Sequence, residues 1–422
     1  MLFFWNNNMN DLKNSLNDQF QATSFEEWKV DAQKYLKNRD IDDLISKKLT
    51  TNIDIKSIYN TRPTDSVELS FDKTTSSAVY SVSSDYILES DLEIAHLLHL
   101  LNNNDCNEVI VRAKINSNFF LSIAKFRALR YLLQNSELNE FIIEATSTNL
   151  NKSVIDENNN IIRLTTEAMS AKIGGCDSLD LIPYNSIDIT LDNESTKFGS
   201  RLTQNIENLL NDESYFEKVS DPLAGSYLVE ELTLKFIKSA IYYLEKLDNF
   251  SSEDEVNSFL KENSKNFLRT LNESLDKGDK KLIGVNIYQN ADTINQTTND
   301  NERLASDFEQ LKIKVDSNKP KVYIANFLDK SNLQFPITMA MNTFNIEFEV
   351  NTLFELVEDC YNTVRLYDPD LVIVNGDDNV LRNLRNMLTE YSLVSINEFR
   401  EDSILSNIEK IISKMDKVNN DK

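Results

Sequence analysis

The sequence predicts an α/β protein with two parallel-stranded layers. Strand-like runs alternate with helical ones between about residues 66 and 290, and the alternation repeats more regularly from about residue 320 onward. A chain of 422 residues also has room for two or three domains, each able to bury its own core. With 41% hydrophobic, 9% aromatic and 27% charged residues, the composition is that of a folded globular protein.

Residues 1–60 read as a helical N-terminal arm. Ser24-Phe25-Glu26-Glu27 is a capping box, and the helix it opens sets Trp28, Ala32 and Tyr35-Leu36 on one side, a face that needs a partner surface. The apolar opening, residues 1–5, lacks a basic lead and is too short for a secretory core or a membrane span, so neither is expected. In residues 61–290 the strand candidates are 67–71, 78–83, 108–113, 141–146 and 282–288, with helices at 91–101, 118–134, 163–173, 200–211 and 228–247. Such interleaving predicts a barrel-like or open parallel layer, incomplete because the strands are too few for eight. Residues 291–319 read as a linker that becomes helical from about Asn301. From 320 to 422, strands at 321–327, 347–351, 371–375 and 393–396 alternate with helices at 336–344, 353–367, 379–391 and 403–415. That pattern predicts a small doubly wound domain of flavodoxin type, whose ligand would lie at the carboxyl ends of its strands. The first turn there, Phe327-Leu328-Asp329-Lys330-Ser331-Asn332, has neither glycine nor histidine, and only Gly376 follows, after the third strand.

Several function classes are excluded by charge and scarcity. The balance of 44 basic and 68 acidic residues, a formal −24, repels phosphate backbones and anionic lipid, and no local basic stripe overrides it, so neither nucleic acid nor membrane is an expected partner. Cys106, Cys176 and Cys360 lie far apart, with no disulfide framework and no C-x-x-C motif, which fits a reducing, cytoplasmic setting. Imidazole chemistry is confined to His96 and His99, which stand three residues apart beside the stripe Ile94, Leu97, Leu98 and Leu101, and they read as a surface or half-buried pair rather than a metal site. Cys106 beside His99 reads as coincidence rather than a nucleophile pair. Gly174-Gly175 reads as a helix terminator, and no G-x-S-x-G, Walker-type or G-x-G-x-x-G sequence occurs. No catalytic, cofactor-binding or metal-binding residue is assigned in this chain.

Three segments nevertheless resemble the methylmalonyl-CoA mutase family, the adenosylcobalamin-dependent acyl-CoA mutases. Asn118-Phe119-Phe120-Leu121-Ser122-Ile123-Ala124-Lys125-Phe126-Arg127-Ala128 is similar to the family's N-F-F-x-E-I-A-K-x-R-A helix. Arg163-Leu164-Thr165-Thr166-Glu167-Ala168-Met169 followed by Gly174-Gly175-Cys176-Asp177-Ser178-Leu179 resembles R-T-T-x-E-A-M…G-G-x-x-S-L. Asp212-Glu213-Ser214 through Asp221-Pro222-Leu223-Ala224-Gly225-Ser226-Tyr227-Leu228-Val229-Glu230 resembles E-E-S…D-P-x-G-G-S-Y-x-V-E. The arm with Glu26-Glu27-Trp28 looks like the leader of the small subunit in two-chain members.

The resemblance implies a (β/α) TIM-barrel-like domain for acyl-CoA, followed by a flavodoxin-like, cobalamin-binding-like domain. Only about 22 residues separate Tyr59 from Val82, so the barrel is expected to be truncated. The family's Ser-Gly-Tyr-His stretch, which meets the reacting acyl group, is matched by Ser83-Ser84-Asp85-Tyr86, with Asp85 for the tyrosine and Tyr86 for the histidine. Asp329-Lys330-Ser331 stands in the place of the cobalamin signature D-x-H-x-x-G, and no histidine follows His99 to coordinate cobalt. Gln204 and Glu207 depart from the R-N-x-Q helix, and Ala224 replaces a glycine, which implies that this position avoids positive φ. Lys125, Arg127 and Arg163 could pair within the layer or meet a CoA phosphate. The expected role is the non-catalytic small (beta) subunit of a heterodimeric methylmalonyl-CoA mutase. Adenosylcobalamin and the isomerase site would belong to a large (alpha) partner, and acyl-CoA would be met only through the complex. The alternative is an acyl-CoA mutase or acyl-CoA-binding protein with its own rearranged site.

Overall fold

The computed structural model describes residues 25–36, 41, 46–48, 53–56, 59, 67–70, 80–104, 108–138, 140–188, 192–290, 303–328, 334–351, 353–399 and 402–420. Of the arm, helix α1 (Phe25–Tyr35) leaves Val30 and Tyr35 exposed, while Ser24 of the capping box falls outside the described residues. Strands β1 (Ser46–Lys48) and β2 (Asp54–Lys56) pair antiparallel, with Ile53 fully buried beside them.

Period-two alternation builds the first sheet. Strands β3 (Tyr80–Ser83), β4 (Glu108–Lys114), β5 (Glu140–Thr146) and β6 (Ser178–Asp180) run parallel in sequence order, joined by α2 (Ser90–Asn102), α3 (Phe119–Gln134) and α4 (Asn158–Ile173). Val109, Val111, Ala113, Ile143 and Ala145 enter one core with the helices. The opposite face carries Ile110, Arg112 and Lys114 beside Ile142, Glu144 and Thr146. It is mixed, with Arg112, Lys114, Glu144 and Thr146 beside two isoleucines, where the interior of a closed barrel is filled with branched apolar side chains.

Beyond β6, α5 (Asn193–Asn208) runs into a π-turn at Leu209–Glu213, and α6 (Tyr227–Asp248) and α7 (Glu253–Asp276) follow. Ser252 caps α7, its hydroxyl accepting from the Glu255 amide at 3.4 Å. Helix α7 is absent from the sequence-based expectation, because most of its positions are polar. Its Val256 and Leu260 close over Leu88, Leu92 and Ala95 of the α2 region.

Two expected strands are corrected. Residues 67–70 pair with no strand among the described residues; Val67 drops into the core and Ser70 offers its carbonyl to Gln134 at the end of α3. The stretch 282–288 is a turn, because Gly284 and Tyr288 take φ of +79° and +52°, outside the extended region. Asn286 holds that turn through Leu275 O at 2.9 Å and Lys280 O at 2.7 Å.

The second sheet follows α8 (Ser306–Asn318): β7 (Lys321–Asn326), α9 (Gln334–Thr343), β8 (Glu347–Val350), α10 (Val357–Tyr367), β9 (Leu371–Asn375), α11 (Asp378–Met387), β10 (Ser392–Ser395) and α12 (Ile404–Asn420). All four strands are parallel in the order β10-β9-β7-β8, so the chain reverses its direction of winding at β7. Helix α8, at the end of the stretch expected to link the layers, is itself core through Phe308, Leu311 and Val315; residues 291–302 fall outside the described residues. The core beneath this sheet continues into the first layer's connections, taking in Ile155, Leu275 and Val285.

A buried ion pair locks that junction. Arg303 and Glu309, with side chains 1% exposed, meet through bonds of 2.9 and 2.7 Å. Glu309 also accepts from the Ser153 hydroxyl at 2.9 Å and the Val154 amide at 3.0 Å, in the connection after β5. Removing one partner strands a buried charge, so Glu309→Ala is expected to lower stability by about 3–5 kcal/mol in urea unfolding. Because the core is shared, both sheets are expected to unfold in one transition; two separated transitions in the parent protein would contradict this.

Candidate functional site

Helix α3 holds the densest set of buried charges. Asn118 caps it by accepting from Leu121 N at 3.3 Å, which sets the helical phase so that Lys125, Arg127 and Arg130 all point inward. Lys125 donates to Glu93 at 2.8 Å and to Lys114 O at 2.5 Å. Arg127 is gripped by Asp221 and, at 3.0 Å, by Glu230. Arg130 reaches Gly175 O at 2.8 Å and Asp177 at 2.6 Å. Burial pulls the Lys125 ammonium and the Arg127 guanidinium below their ordinary pKa values, while Glu93 and Glu230 respectively pull them back.

These contacts join the three motif segments to one another. Arg127 links the first to the third, and Arg130 links the first to the second. Gly174 lets α4 close on α3: a Cβ there would meet Ile123 O and Phe126 Cβ at 2.9 Å. Gly175, at φ +92°, ends the helix as its sequence predicts. Gly225, at φ +79°, directs its amide to Glu230 at 2.9 Å, whereas Ala224 stays outside the positive-φ region. Arg163 donates to Asn160 at 2.9 Å and to Ile283 O. Lys125 and Arg127 thus pair with carboxylates inside the fold, and the half-buried Arg163 bonds to an amide and a carbonyl there.

The Ser83-Ser84-Asp85-Tyr86 stretch lies at the carboxyl end of β3, where a parallel layer places its site residues. Ser84 is buried and its hydroxyl meets His96 Nδ1 at 3.0 Å. Tyr86 donates from its hydroxyl to Asn257 of α7 at 3.0 Å, so that side chain braces the fold. Lys114 donates to the carbonyls of Ser84 and Tyr86. Asp85 is exposed.

Both histidines are buried, which corrects the expected surface or half-buried placement. Helix α7, unseen in the sequence, brings Glu253 beside His99, while His96 lies against Ser84 and Tyr86 at the end of β3. Burial pushes the His96 imidazole down to about 4, with His99 and Lys114 adding to the effect. His99 Nδ1 meets Asp248 at 2.6 Å instead. Cys176 and Cys360 are also buried, their thiols pushed up to about 12, so neither is a nucleophile; Cys106 lies outside the described residues.

In the second sheet the crevice beside β7 is stitched by asparagines. Asn326 donates to Asn351 O at 2.7 Å, and its backbone amide to the Asn351 side chain at 2.8 Å. Asn375 donates to Asn326 Oδ1 at 3.0 Å and to Leu328 O at 3.2 Å. Phe327 and Phe354 lie over this end with ring centres 5.6 Å apart. Asp329-Lys330-Ser331 lies outside the described residues.

Residues 103–353, more than half of the chain, match the family described as methylmalonyl-CoA mutase. The chain belongs to the methylmalonyl-CoA mutase family. The small subunit of methylmalonyl-CoA mutase from Porphyromonas gingivalis is 39% identical over 140 residues, which are 30% of this chain and 22% of that protein. Methylmalonyl-CoA mutases from Rhizobium meliloti and Cereibacter sphaeroides are 34% and 31% identical, each over 42% of this chain and 26% of their own length. The chain thus spans about a quarter of the length of these relatives. The mutase-like segments coincide with the α3 clasp, so what the sequence shares with the family includes the contacts that assemble this layer.

Two outcomes are expected. Arg127→Ala, which strands Asp221 and Glu230, destabilises by about 3–5 kcal/mol, whereas Arg112→Ala, at a side chain 43% exposed, costs less than about 1 kcal/mol; denaturant midpoints check both. His96 takes its proton near pH 6.5 when unfolded but near 4 in the fold, so its contribution is whole above pH 6.5 and lost as pH falls toward 4. A His96→Gln protein should lose that part of the fall in stability between neutral and acid pH; an unchanged slope would show that the ring is not held neutral.

Proposed function

We propose that the chain is the small (beta) subunit of a heteromeric methylmalonyl-CoA mutase, a structural partner to a large (alpha) subunit. In this reading the large subunit holds adenosylcobalamin and interconverts methylmalonyl-CoA and succinyl-CoA, and acyl-CoA is met only in the complex. The observation that carries the proposal is the asparagine stitch across β7, β8 and β9, which occupies the strand ends where a doubly wound domain would admit a ligand. The donor set agrees, since the chain's two imidazoles are His96 and His99, both buried in the first layer. These residues do not fit a cobalamin held through a protein histidine on its lower face, because no histidine follows His99 in the chain.

The order of strands, with β7 between β8 and β9, supports reading residues 320–422 as a degenerate flavodoxin-like domain. Four parallel strands in sequence order support reading residues 61–290 as a truncated TIM-barrel-like layer. The arm supplies a surface for the partner: Trp28 and Tyr35, two turns apart on one face of α1, are 37% and 86% exposed. The Porphyromonas gingivalis likeness favours the small-subunit assignment over a catalytic one.

Co-expression with the cognate large subunit tests this. The two chains are expected to elute as one complex, with corrinoid and isomerase activity lost when the large subunit is omitted. A chain that binds corrinoid and isomerises the thioester alone would overturn the proposal.

A further inference from the structure

The first sheet is all parallel, and parallel sheets occur with both faces covered. One face is packed by α2, α3 and α6. On the other, Ile110 and Ile142 stand side by side, and neither enters any hydrophobic core formed by the described residues. Arg112, two residues along the same face, keeps 43% of its side chain in solvent. The edges are open as well: among the described residues, β3 pairs only with β4 and β6 only with β5.

What would cover that face has a definite shape. A parallel barrel closes at eight strands, the number at which interior side chains fill the bore, and this layer supplies four in unbroken order. A half-turn about the barrel axis sets β6 of one copy beside β3 of the other, and does so at both seams at once. Every strand then stays parallel to its neighbours, and no edge is left over. The charges of the face also suit a second copy. Arg112 donates to Glu144, and Lys114 to the carbonyls of Ser84 and Tyr86, so closure buries neither cation without a bonded partner. The remaining carboxylates of the face, Glu108, Glu140 and Asp180, stand at its two rims.

We infer that two copies of this chain join their four-stranded layers edge to edge, β6 of each beside β3 of the other, into one closed eight-stranded barrel. Ile110 and Ile142 of both copies then supply branched apolar side chains to its interior. The inference rests on the truncated-barrel reading above and is tested on this chain alone. Failure to bind a large subunit would leave it standing, and a chain that stays single would leave the subunit reading standing.

Light scattering on the purified chain is expected to give twice the 48.6 kDa of one polypeptide. Arg112→Ala costs the separate chain little, as its exposure implies, yet it sends Glu144 into the closed interior without its cation. That variant should weaken the pairing by more than about tenfold while its helical signal stays unchanged. Ile110→Asp should do the same, and Leu366→Asp, at a residue 89% exposed on α10, should not. Ser83 and Ser178 lie at one level of the sheet, in register through Arg112 and Glu144. A mixture of Ser83→Cys and Ser178→Cys chains should therefore cross-link across the seam with a short bismaleimide, above the level either variant gives alone. A face covered by the chain's own residues or by a large subunit would leave the purified chain single. A mass of one chain at tens of micromolar, a pair that survives both Arg112→Ala and Ile110→Asp, or a mixture that does not cross-link would overturn the inference.

Discussion

The fold of the first layer depends on one buried guanidinium. Arg127 cannot be removed from water without anions beside it, and Asp221 and Glu230, distant in sequence, supply them. Satisfying that charge draws the turn before α6 onto α3 and requires unusual backbone there: Asp221 takes φ of +44° and Gly225 +79°, so that carboxylate and amide both face inward. Arg130 repeats the arrangement toward Gly175 and Asp177, which in turn accepts from the Ile143 amide of β5 at 2.7 Å. A helix, two turns and a strand are held by two side chains.

The clasp explains how a chain can keep the mutase family's segments while its site positions serve other ends. The same arginines, glycines and carboxylates that make the family visible here have contacts inside the protein. At the mouth of the layer Ser84, Tyr86 and Lys114 bond to one another and to α7, and at the ends of the second sheet three asparagines bond to one another. These contacts hold the shape of both strand ends.

The second sheet was the more legible in sequence because its strands β7 and β9 are buried on both faces and read as short apolar runs between helical stretches. The first layer was harder. Strand β6 has three residues, too few for a periodic signal, and α7 is polar along most of its length with Val256, Leu260 and Leu275 as its buried anchors. Missing α7 carried part of a second error with it, since His99 sits beside the start of that helix, whereas His96 is buried against Ser84 and Tyr86. Residues 282–288 alternate like a strand, yet Gly284 and Asn286 impose a turn that only the tertiary hydrogen bonds reveal. The partners of Lys125 and Arg127 were illegible for a simpler reason: Glu93 precedes the helix by a whole βα unit and Glu230 follows it by about a hundred residues.

A double-mutant cycle on Arg127 and Glu230 tests the clasp most directly. Unfolding free energies of Arg127→Met, Glu230→Gln and the double variant should show strong coupling, about 2–3 kcal/mol, because the first change strands the Glu230 carboxylate and the second leaves the buried guanidinium with Asp221 as its remaining anion. Additive effects would mean that the pair does not hold the layer, and that the family segments are kept for another reason.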